Sequence, residues 1–106
     1  MNSVFFHIEI TDFGYSSLKR SIKRDSRSKI MIEKSIEKLS SDPLSGKRLK
    51  SELSGFRSLK TDDRKFRIIY SYDLISDEII IHAVGNRNKI YDDFIRVFNS
   101  ARFFQN

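Results

Sequence analysis

Hydrophobic and polar residues alternate near the start of the chain. In the segment 4–10 (VFFHIEI), Phe6, Ile8 and Ile10 fall on one face of an extended backbone, which predicts a β-strand. Thr11 follows, and Asp12 after it, and either side chain offers an oxygen that caps the first turn of a helix. The pattern therefore predicts a strand that leads directly into a helix.

Apolar residues then recur at helical spacing between residues 13 and 38, with a polar interruption midway. We predict two helices that break near Asp25 and Ser26, either of which can cap the second helix. The second helix should end near Ser41, because the residue before Pro43 is pushed out of the α region. The apolar positions are Leu18 and Ile22 in the first helix and Ile32, Ile36 and Leu39 in the second.

Strand patterns return after a polar loop at 44–55, in which Leu49 and Leu53 are the expected anchors. The segment 65–74 places Phe66, Ile68, Tyr70 and Tyr72 on one face and Lys65, Arg67, Ile69 and Ser71 on the other. The segment 78–84 is apolar on both faces, which is typical of an interior strand. With a shorter strand at 56–61, these segments predict three successive strands joined by turns at 61–64 and 76–77.

A last helix is predicted from about residue 90 to residue 104. Asp92 and Asp93 lie in its first turn, where carboxylates favour the helix dipole. Its predicted apolar stripe consists of Phe94, Val97, Phe98 and Ala101. The order β-α-α-β-β-β-α predicts an α+β fold, with a helical hairpin packed on a small, mainly antiparallel sheet plus a C-terminal helix. The 106 residues suit a single domain.

The charge is uneven along the chain, whose formal net charge is +6. The stretch from residue 19 to residue 67 holds 16 basic and 7 acidic residues, a surplus of +9. Such a surplus favours a polyanionic partner, nucleic acid first, although a charge that only keeps the domain dispersed is an equal alternative on this ground alone.

Several classes of site are excluded by composition. The chain has no cysteine, which rules out a disulfide scaffold and a thiol nucleophile. Its two histidines, His7 and His82, argue against a multi-histidine metal centre, and both are expected in the core. Because no signal peptide or membrane-length apolar run is visible, we expect a soluble cytoplasmic protein that needs no cofactor.

Basic and aromatic residues are the remaining candidates for chemistry, since no common catalytic motif is present. The carboxylate pairs, Asp62 with Asp63 and Asp92 with Asp93, are interpreted as turn and helix-start residues, because sequence neighbours do not face each other. If the last three strands are neighbours, Lys60, Arg67 and Arg87 can converge beside Tyr91, a combination that suits a phosphodiester. A half-exposed Arg67 paired with a carboxylate is the plainer alternative.

Four segments, in this order, resemble motifs of the RelE/ParE toxin superfamily. The segment 42–50 (DPLSGKRLK) is similar to its D-P-x-x-G-K-x-L-K loop, and 53–60 (LSGFRSLK) resembles L-x-G-x-x-S-L-R. The segment 65–70 (KFRIIY) is similar to Y-R-[IV]-[IV]-Y, and 82–91 (HAVGNRNKIY) resembles H-x-[IV]-G-x-R-x-x-[VI]-Y. The predicted order of elements also agrees with that superfamily, so the resemblance extends over nearly the whole chain.

The resemblance implies a toxin of a type II toxin–antitoxin pair. RelE-like members cleave mRNA in the ribosomal A site, whereas ParE-like members poison DNA gyrase. By resemblance to RelE, Arg67 would contact the scissile phosphate, and Arg87 would help to neutralise the charge on its oxygens. Tyr91 would stack on RNA and support proton transfer. Lys60 is the best match for a strand lysine, with Ser58 standing where a second basic residue often occurs. The resemblance implies no metal.

The expected reaction is attack of the RNA 2′-OH on the adjacent phosphorus, with Lys60 or Tyr91 moving the proton, since arginine is no base near neutrality. The expected partners are the ribosome, mRNA and an antitoxin whose acidic helical segment covers the basic face, in a toxin–antitoxin heterotetramer. A ParE-like gyrase inhibitor, or a degenerate toxin that only binds, are the alternatives. The expected RNA-binding residues are Arg57, Lys65, Arg64, Lys47, Arg48, Lys50 and Lys89.

Overall fold

The structure is a computed structural model that describes residues 6–104, with side chains described through residue 101. A mixed sheet of five strands lies between a pair of helices on one face and a third helix on the other. The elements in chain order are β1 (His7–Ile10), α1 (Asp12–Arg24), α2 (Ser28–Ser41), β2 (Lys47–Arg48), a short 3₁₀ turn (Ser51–Leu53), β3 (Arg57–Lys60), β4 (Phe66–Asp73), β5 (Glu78–Asn86) and α3 (Ile90–Phe104). The predicted α+β class is confirmed.

The helical hairpin forms as its sequence predicts, with one correction at the second cap. The Thr11 hydroxyl accepts a hydrogen bond from the Gly14 amide at 3.0 Å and caps α1. Neither Asp25 nor Ser26 caps α2. The N-cap position is occupied by Arg27, whose side chain makes no capping hydrogen bond. The Asp25 carboxylate instead accepts from the Arg27 amide at 3.1 Å, so it stabilises the turn between the helices.

The sheet has the order β1-β5-β4-β3-β2, and only the β1–β5 pair is parallel. Strand β5 therefore lies inside the sheet, as its two-sided apolar pattern predicts. The β4–β5 register jumps from the pair Ile69–Ala83 to the pair Tyr70–Ile81. His82 is the extra residue of this β-bulge, and its side chain packs against Phe56 and Phe94 beneath α3.

Each face of the sheet has its own hydrophobic core. The face toward α1 and α2 is built from nine buried side chains: Ile32, Leu39, Leu59, Phe66, Ile68, Tyr70, Ile79, Ile81 and Val84. The face toward α3 is built from five: Leu53, Ile69, Ala83, Ile90 and Phe94. The alternation predicted for the segment 65–74 is confirmed, because Phe66, Ile68 and Tyr70 lie in the first core and Ile69 lies in the second.

Four details differ from the predictions. The loop predicted at 44–55 contains β2 and the 3₁₀ turn, and β5 continues through Asn86. Ala101, predicted in the apolar stripe of α3, is exposed, and His7, predicted in the core, is exposed as well. The predicted residues Val4 and Phe5 of the first strand lie outside the described residues. No helix among residues 6–104 is long and apolar enough to cross a membrane.

Candidate nucleic-acid interface

Two basic residues lie side by side on the α3 face of the sheet. Lys60 at the end of β3 is the direct cross-strand partner of Arg67 in β4. Arg67 is in turn the partner of Gly85 in β5, which offers no side chain on that face. Like charges placed opposite each other in a sheet repel, so this pair lowers stability unless an anion lies between them.

The Arg67 guanidinium is held in place by the turn that precedes its strand. Its Nη1 donates to the carbonyl oxygens of Arg64 at 2.9 Å and Phe66 at 3.1 Å. Its other two nitrogens make no hydrogen bond to any of residues 6–101, so they remain as donors for an anion. The side chain is half-buried, which limits its freedom before any ligand arrives.

The turn between β3 and β4 is tied by its own polar side chains. Thr61 is 1% exposed, and its hydroxyl donates to the Asp63 carboxylate at 2.6 Å. The Lys65 amide also donates to that carboxylate, at 3.1 Å. The hydrogen bond from Thr61, followed by that from Lys65, lowers the pKa of Asp63 below its usual value. Asp63 is thus the turn residue that the sequence predicted, and the turn presents Arg64 with a left-handed backbone, φ 65°.

Tyr91, in the first turn of α3, is hydrogen-bonded to the strand that carries Lys60. Its phenolic oxygen lies 2.7 Å from the hydroxyl of Ser58, a buried residue of β3. Ser58 is two residues before Lys60, so both side chains lie on the α3 face. The Ser58 hydroxyl therefore fixes the position of the Tyr91 ring.

An aromatic cluster keeps α3 on the sheet. The ring of Phe56 makes edge-to-face contacts with Phe94 at 5.1 Å and with Phe98 at 5.3 Å between centroids. His82 completes the cluster and lies with Nε2 2.8 Å from the Ser71 hydroxyl. Burial lowers the pKa of His82 to about 4, so the imidazole is neutral at physiological pH. The cluster is structural, as predicted for His82, and Tyr91 packs against the same core.

The loop before β2 is fixed to the opposite face of the sheet by a buried tyrosine. The Tyr70 hydroxyl donates to the Pro43 carbonyl at 2.7 Å and accepts from the Gly46 amide at 2.9 Å. A Cβ on Gly46 would lie 2.7 Å from the Tyr70 ring, so only glycine fits there. Arg57 Nη1 donates to the Gly46 carbonyl at 2.8 Å and secures the same loop. The loop thereby carries Lys47 to the edge of β3.

These elements enclose a cleft of about 770 Å³, here called the sheet cleft. Its lining includes one carboxylate, Asp62, and the aromatic side chain of Tyr91. Within the described residues, no cation of this lining forms an ion pair. Seven basic side chains line it: Lys38, Lys47, Arg48, Lys50, Lys60, Arg64 and Arg67. The arrangement therefore suits an extended anion with several phosphates, with an aromatic ring available for stacking.

Most of the residues predicted for the site line this cleft. Lys47, Arg48, Lys50, Lys60, Arg64, Arg67 and Tyr91 do so. Lys38 also lines the cleft and was not predicted. Its position in the last turn of α2, just before the Asp-Pro pair, could have indicated it. The plainer alternative for Arg67, a pair with a carboxylate, is wrong, because its Nη1 binds backbone carbonyls.

Four other predicted residues lie elsewhere. Arg57 pairs with Tyr70 across the strands and points away from Arg67, because neighbouring strand residues face opposite sides. Lys65 and Lys89 line a second cleft between α1 and α3. Arg87 is exposed just beyond β5 and lines neither cleft, while its amide donates to the Lys65 carbonyl at 3.1 Å. The expected convergence of Lys60 and Arg67 is observed, but that of Arg87 with them is not.

Metal-ligating side chains come together at the far edge of the sheet. His7, Glu9 and Glu78 have ligand atoms within 4.8 Å of one another on β1 and β5. His7 Nε2 lies 2.6 Å from the Glu9 carboxylate, and this hydrogen bond raises the pKa of His7. The three residues line neither cleft. Composition did not reveal them, since only the β1–β5 register brings them together.

No family model and no curated protein matches the chain. Solved structures do match. The RelBE2 toxin–antitoxin complex of Mycobacterium tuberculosis aligns with a TM-score of 0.65 at 26% identity, over 79% of this chain and 100% of that chain. The intact RelBE toxin–antitoxin complex of E. coli aligns with a TM-score of 0.63 at 11% identity, over 76% of this chain and 95% of that chain.

A conserved hypothetical protein of Helicobacter pylori aligns with a TM-score of 0.61 at 17% identity, over 78% of this chain and 96% of that chain. The matches below 25% identity concern the fold, whereas the mycobacterial match adds sequence similarity across nearly four-fifths of the chain. The fold is that of RelE-type toxins, and the mycobacterial likeness supports the assignment of the chain to the RelE/ParE toxin superfamily.

Proposed function

We propose that this chain is the toxin of a type II toxin–antitoxin pair and that it cleaves mRNA on the ribosome. The observation that carries the proposal is the Lys60–Arg67 pair in the sheet cleft, with Tyr91 in the same lining. Two adjacent cations that form no ion pair within the described residues suit the two nonbridging oxygens of one phosphodiester.

In the proposed reaction the 2′-oxygen of the RNA attacks the adjacent phosphorus. A P–O2′ bond forms and the P–O5′ bond breaks, leaving a 2′,3′-cyclic phosphate and a 5′-hydroxyl. Negative charge accumulates on the nonbridging oxygens in the transition state. The two nitrogens of Arg67 that remain after its backbone contacts stabilise that charge, because the contacts fix the guanidinium before the reaction begins.

Two protons must move in this reaction, one from the 2′-OH and one to the leaving 5′-oxygen. Lys60 and Tyr91 are the titratable groups beside Arg67 that can move them. The Ser58 hydroxyl holds the Tyr91 oxygen at a fixed place on the cleft wall. A site without a histidine in its lining depends on a substrate that is already bent for in-line attack, and the ribosome would supply that geometry.

An acidic antitoxin is the partner that we propose in the absence of the ribosome. The mycobacterial and E. coli structures are complexes of a toxin with an antitoxin, which supports such a partner for this chain. The seven cations of the sheet cleft favour a partner segment rich in Asp and Glu. Two toxins and two antitoxins in one heterotetramer are the proposed assembly, each toxin being one domain over residues 1–106.

The test is cell-free translation followed by primer extension on the message. Wild-type protein should produce cuts only when ribosomes are present, and the upstream fragments should carry cyclic phosphate ends. Arg67→Ala should remove the cuts. Arg27→Ala is the matched control, because Arg27 is exposed and lines neither cleft, and it should cut as the wild type does.

Folded, antitoxin-free protein that produces no ribosome-dependent cuts would overturn the proposal. A supercoiling assay with DNA gyrase would then separate the ParE-like alternative from a toxin that only binds. Cuts that persist in Arg67→Ala would keep the nuclease but remove Arg67 from its centre.

A further inference from the structure

A second basic cleft of about 520 Å³ lies between α1, α3 and the adjoining ends of β4 and β5. It is called the helix cleft here. The proposed reaction does not use it, although two residues predicted to bind RNA line it. Its five basic side chains are Arg20, Arg24, Lys65, Lys89 and Arg96.

The cations of the helix cleft are poorly compensated. Two carboxylates line it, Asp25 and Asp93. Asp93 lies 3.9 Å from Arg96, and Asp25 accepts from the backbone amide of Arg27. Across the described residues, none of the other four cations forms an ion pair. Clustered cations repel one another, so this cleft gains free energy when an anion binds.

The floor of the helix cleft is apolar and carries a stacked arginine. Phe13, Val84, Ile90 and Val97 line it beneath the cations. The Arg20 guanidinium lies over the Phe13 ring, 5.6 Å from its centroid. Arginine planes and apolar floors are surfaces on which unpaired bases stack, whereas the surrounding cations bind phosphates.

The two clefts adjoin at the turn between β3 and β4. Arg64 lines the sheet cleft, and the next residue, Lys65, lines the helix cleft. Arg87 is exposed beside this junction, where its amide donates to the Lys65 carbonyl. A basic track therefore runs from Lys60 and Arg67, over the turn, to α1.

We propose that the helix cleft binds the sugar–phosphate backbone of the same RNA strand whose reacting phosphate occupies the sheet cleft. The inference rests on the proposed function for the identity of the ligand. Continuity at the turn favours one long polyanion over two separate ligands. An acidic peptide is the competing occupant, and the experiment below distinguishes it.

The test measures binding of labelled oligouridines by fluorescence anisotropy at several salt concentrations, without cleavage as a readout. An RNA of about 4 nucleotides fills one cleft, and one of about 16 spans both. The variant Arg20→Gln/Arg24→Gln should bind the longer RNA roughly tenfold more weakly. Its log–log salt slope should shrink by about 1.4, since each phosphate contact on a single strand contributes about 0.7. Binding of the shorter RNA, which the sheet cleft alone can hold, should stay within about twofold of wild type.

The matched control is Lys19→Gln/Lys23→Gln, which removes two charges from the same helix outside both clefts. It should bind the longer RNA within about twofold of wild type, because only nonspecific attraction is lost. Equal losses in the two double variants would overturn the inference. A loss for a polyglutamate peptide but not for RNA would also overturn it and assign the cleft to an acidic protein.

The binding test separates this inference from the proposed function. A protein that makes no ribosome-dependent cuts, yet loses long-RNA affinity in Arg20→Gln/Arg24→Gln, refutes the nuclease and retains the cleft. A protein that cuts on the ribosome, yet binds long RNA equally well in that variant, retains the nuclease and refutes the cleft.

Discussion

The two faces of the sheet differ in what they bury. The face toward α1 and α2 is closed by nine buried apolar or aromatic side chains. The face toward α3 buries five, and beyond the edge of α3 it presents Lys60 and Arg67. The face toward α1 and α2 thus contributes more apolar burial to stability. The face toward α3 buries less apolar surface, because part of it carries the cations that we propose bind a ligand.

Strand β4 shows this division residue by residue. Ile68 is fully buried against the helical hairpin, while its neighbour Arg67 lies half-buried on the other face. Because strand residues alternate between faces, two adjacent positions can carry opposite tasks. Substitutions on the first face should therefore change unfolding, and substitutions on the second should change activity.

The largest effect on stability is expected for Ile68→Ala. Removing this fully buried side chain leaves a cavity between the sheet and the helices and should cost about 3 kcal/mol of unfolding free energy. Urea unfolding measures it. Ile75→Ala is the control, since Ile75 is 97% exposed, and its cost should stay below about 0.5 kcal/mol. Equal costs at the two positions would contradict the assignment of the core.

Tyr70→Phe should have the next largest effect. It removes the hydroxyl that binds Pro43 and Gly46, and it leaves a buried carbonyl and a buried amide unpaired. The cost should be about 2 kcal/mol. Tyr15→Phe, at a position 55% exposed, should cost little by the same urea measurement. An unchanged unfolding free energy for Tyr70→Phe would show that the loop before β2 does not depend on this tyrosine.

The lowered pKa of His82 predicts that acid decreases the free energy of unfolding. Its pKa is about 4 in the folded protein and 6.5 when unfolded, so the unfolded state binds more protons between these values. Stability should fall as the pH drops from about 6.5 toward 4, by about 1.5 kcal/mol after allowance for solvent screening. Unfolding curves for His82→Phe should have a flatter pH dependence. A slope equal to that of wild type would place the acid sensitivity elsewhere.

Ser58→Ala should have the smallest effect. It removes the hydroxyl that holds the Tyr91 oxygen, so cleavage on the ribosome should fall roughly fivefold, which corresponds to about 1 kcal/mol. Ser58→Thr keeps a hydroxyl and should restore most of the rate. If serine, threonine and alanine give one rate, Ser58 does not position Tyr91 for the reaction.

Periodic patterns predicted the elements well because each element spans several repeats of its pattern. Strand β2 has only two residues, which are too few to show an alternating pattern, so this segment was predicted as a loop. The bulge at His82 was not predicted, because an extra strand residue is defined by its partner strand. These errors arise from pairing between distant segments, which local spacing does not encode.

The site was predicted where one strand face or one motif placed its residues. Arg67 was found because it lies on a long alternating pattern, and Lys60 because the motif at 53–60 ends on it. Arg57 was misplaced because the start of a short strand leaves its face undetermined, and the structure uses it to secure Gly46. Lys65 was predicted on the strand face of Arg67, but it precedes β4 and lines the helix cleft, because the turn at Arg64 ends just before it.

The most direct test of the division between faces is a paired measurement on Arg67→Ala. We predict that its unfolding free energy stays within about 0.5 kcal/mol of wild type while ribosome-dependent cleavage falls at least about a hundredfold. Wild-type cleavage by Arg67→Ala would contradict the account. A loss of cleavage that accompanies a loss of about 2 kcal/mol or more in stability would contradict it equally, because Arg67 would then support the fold.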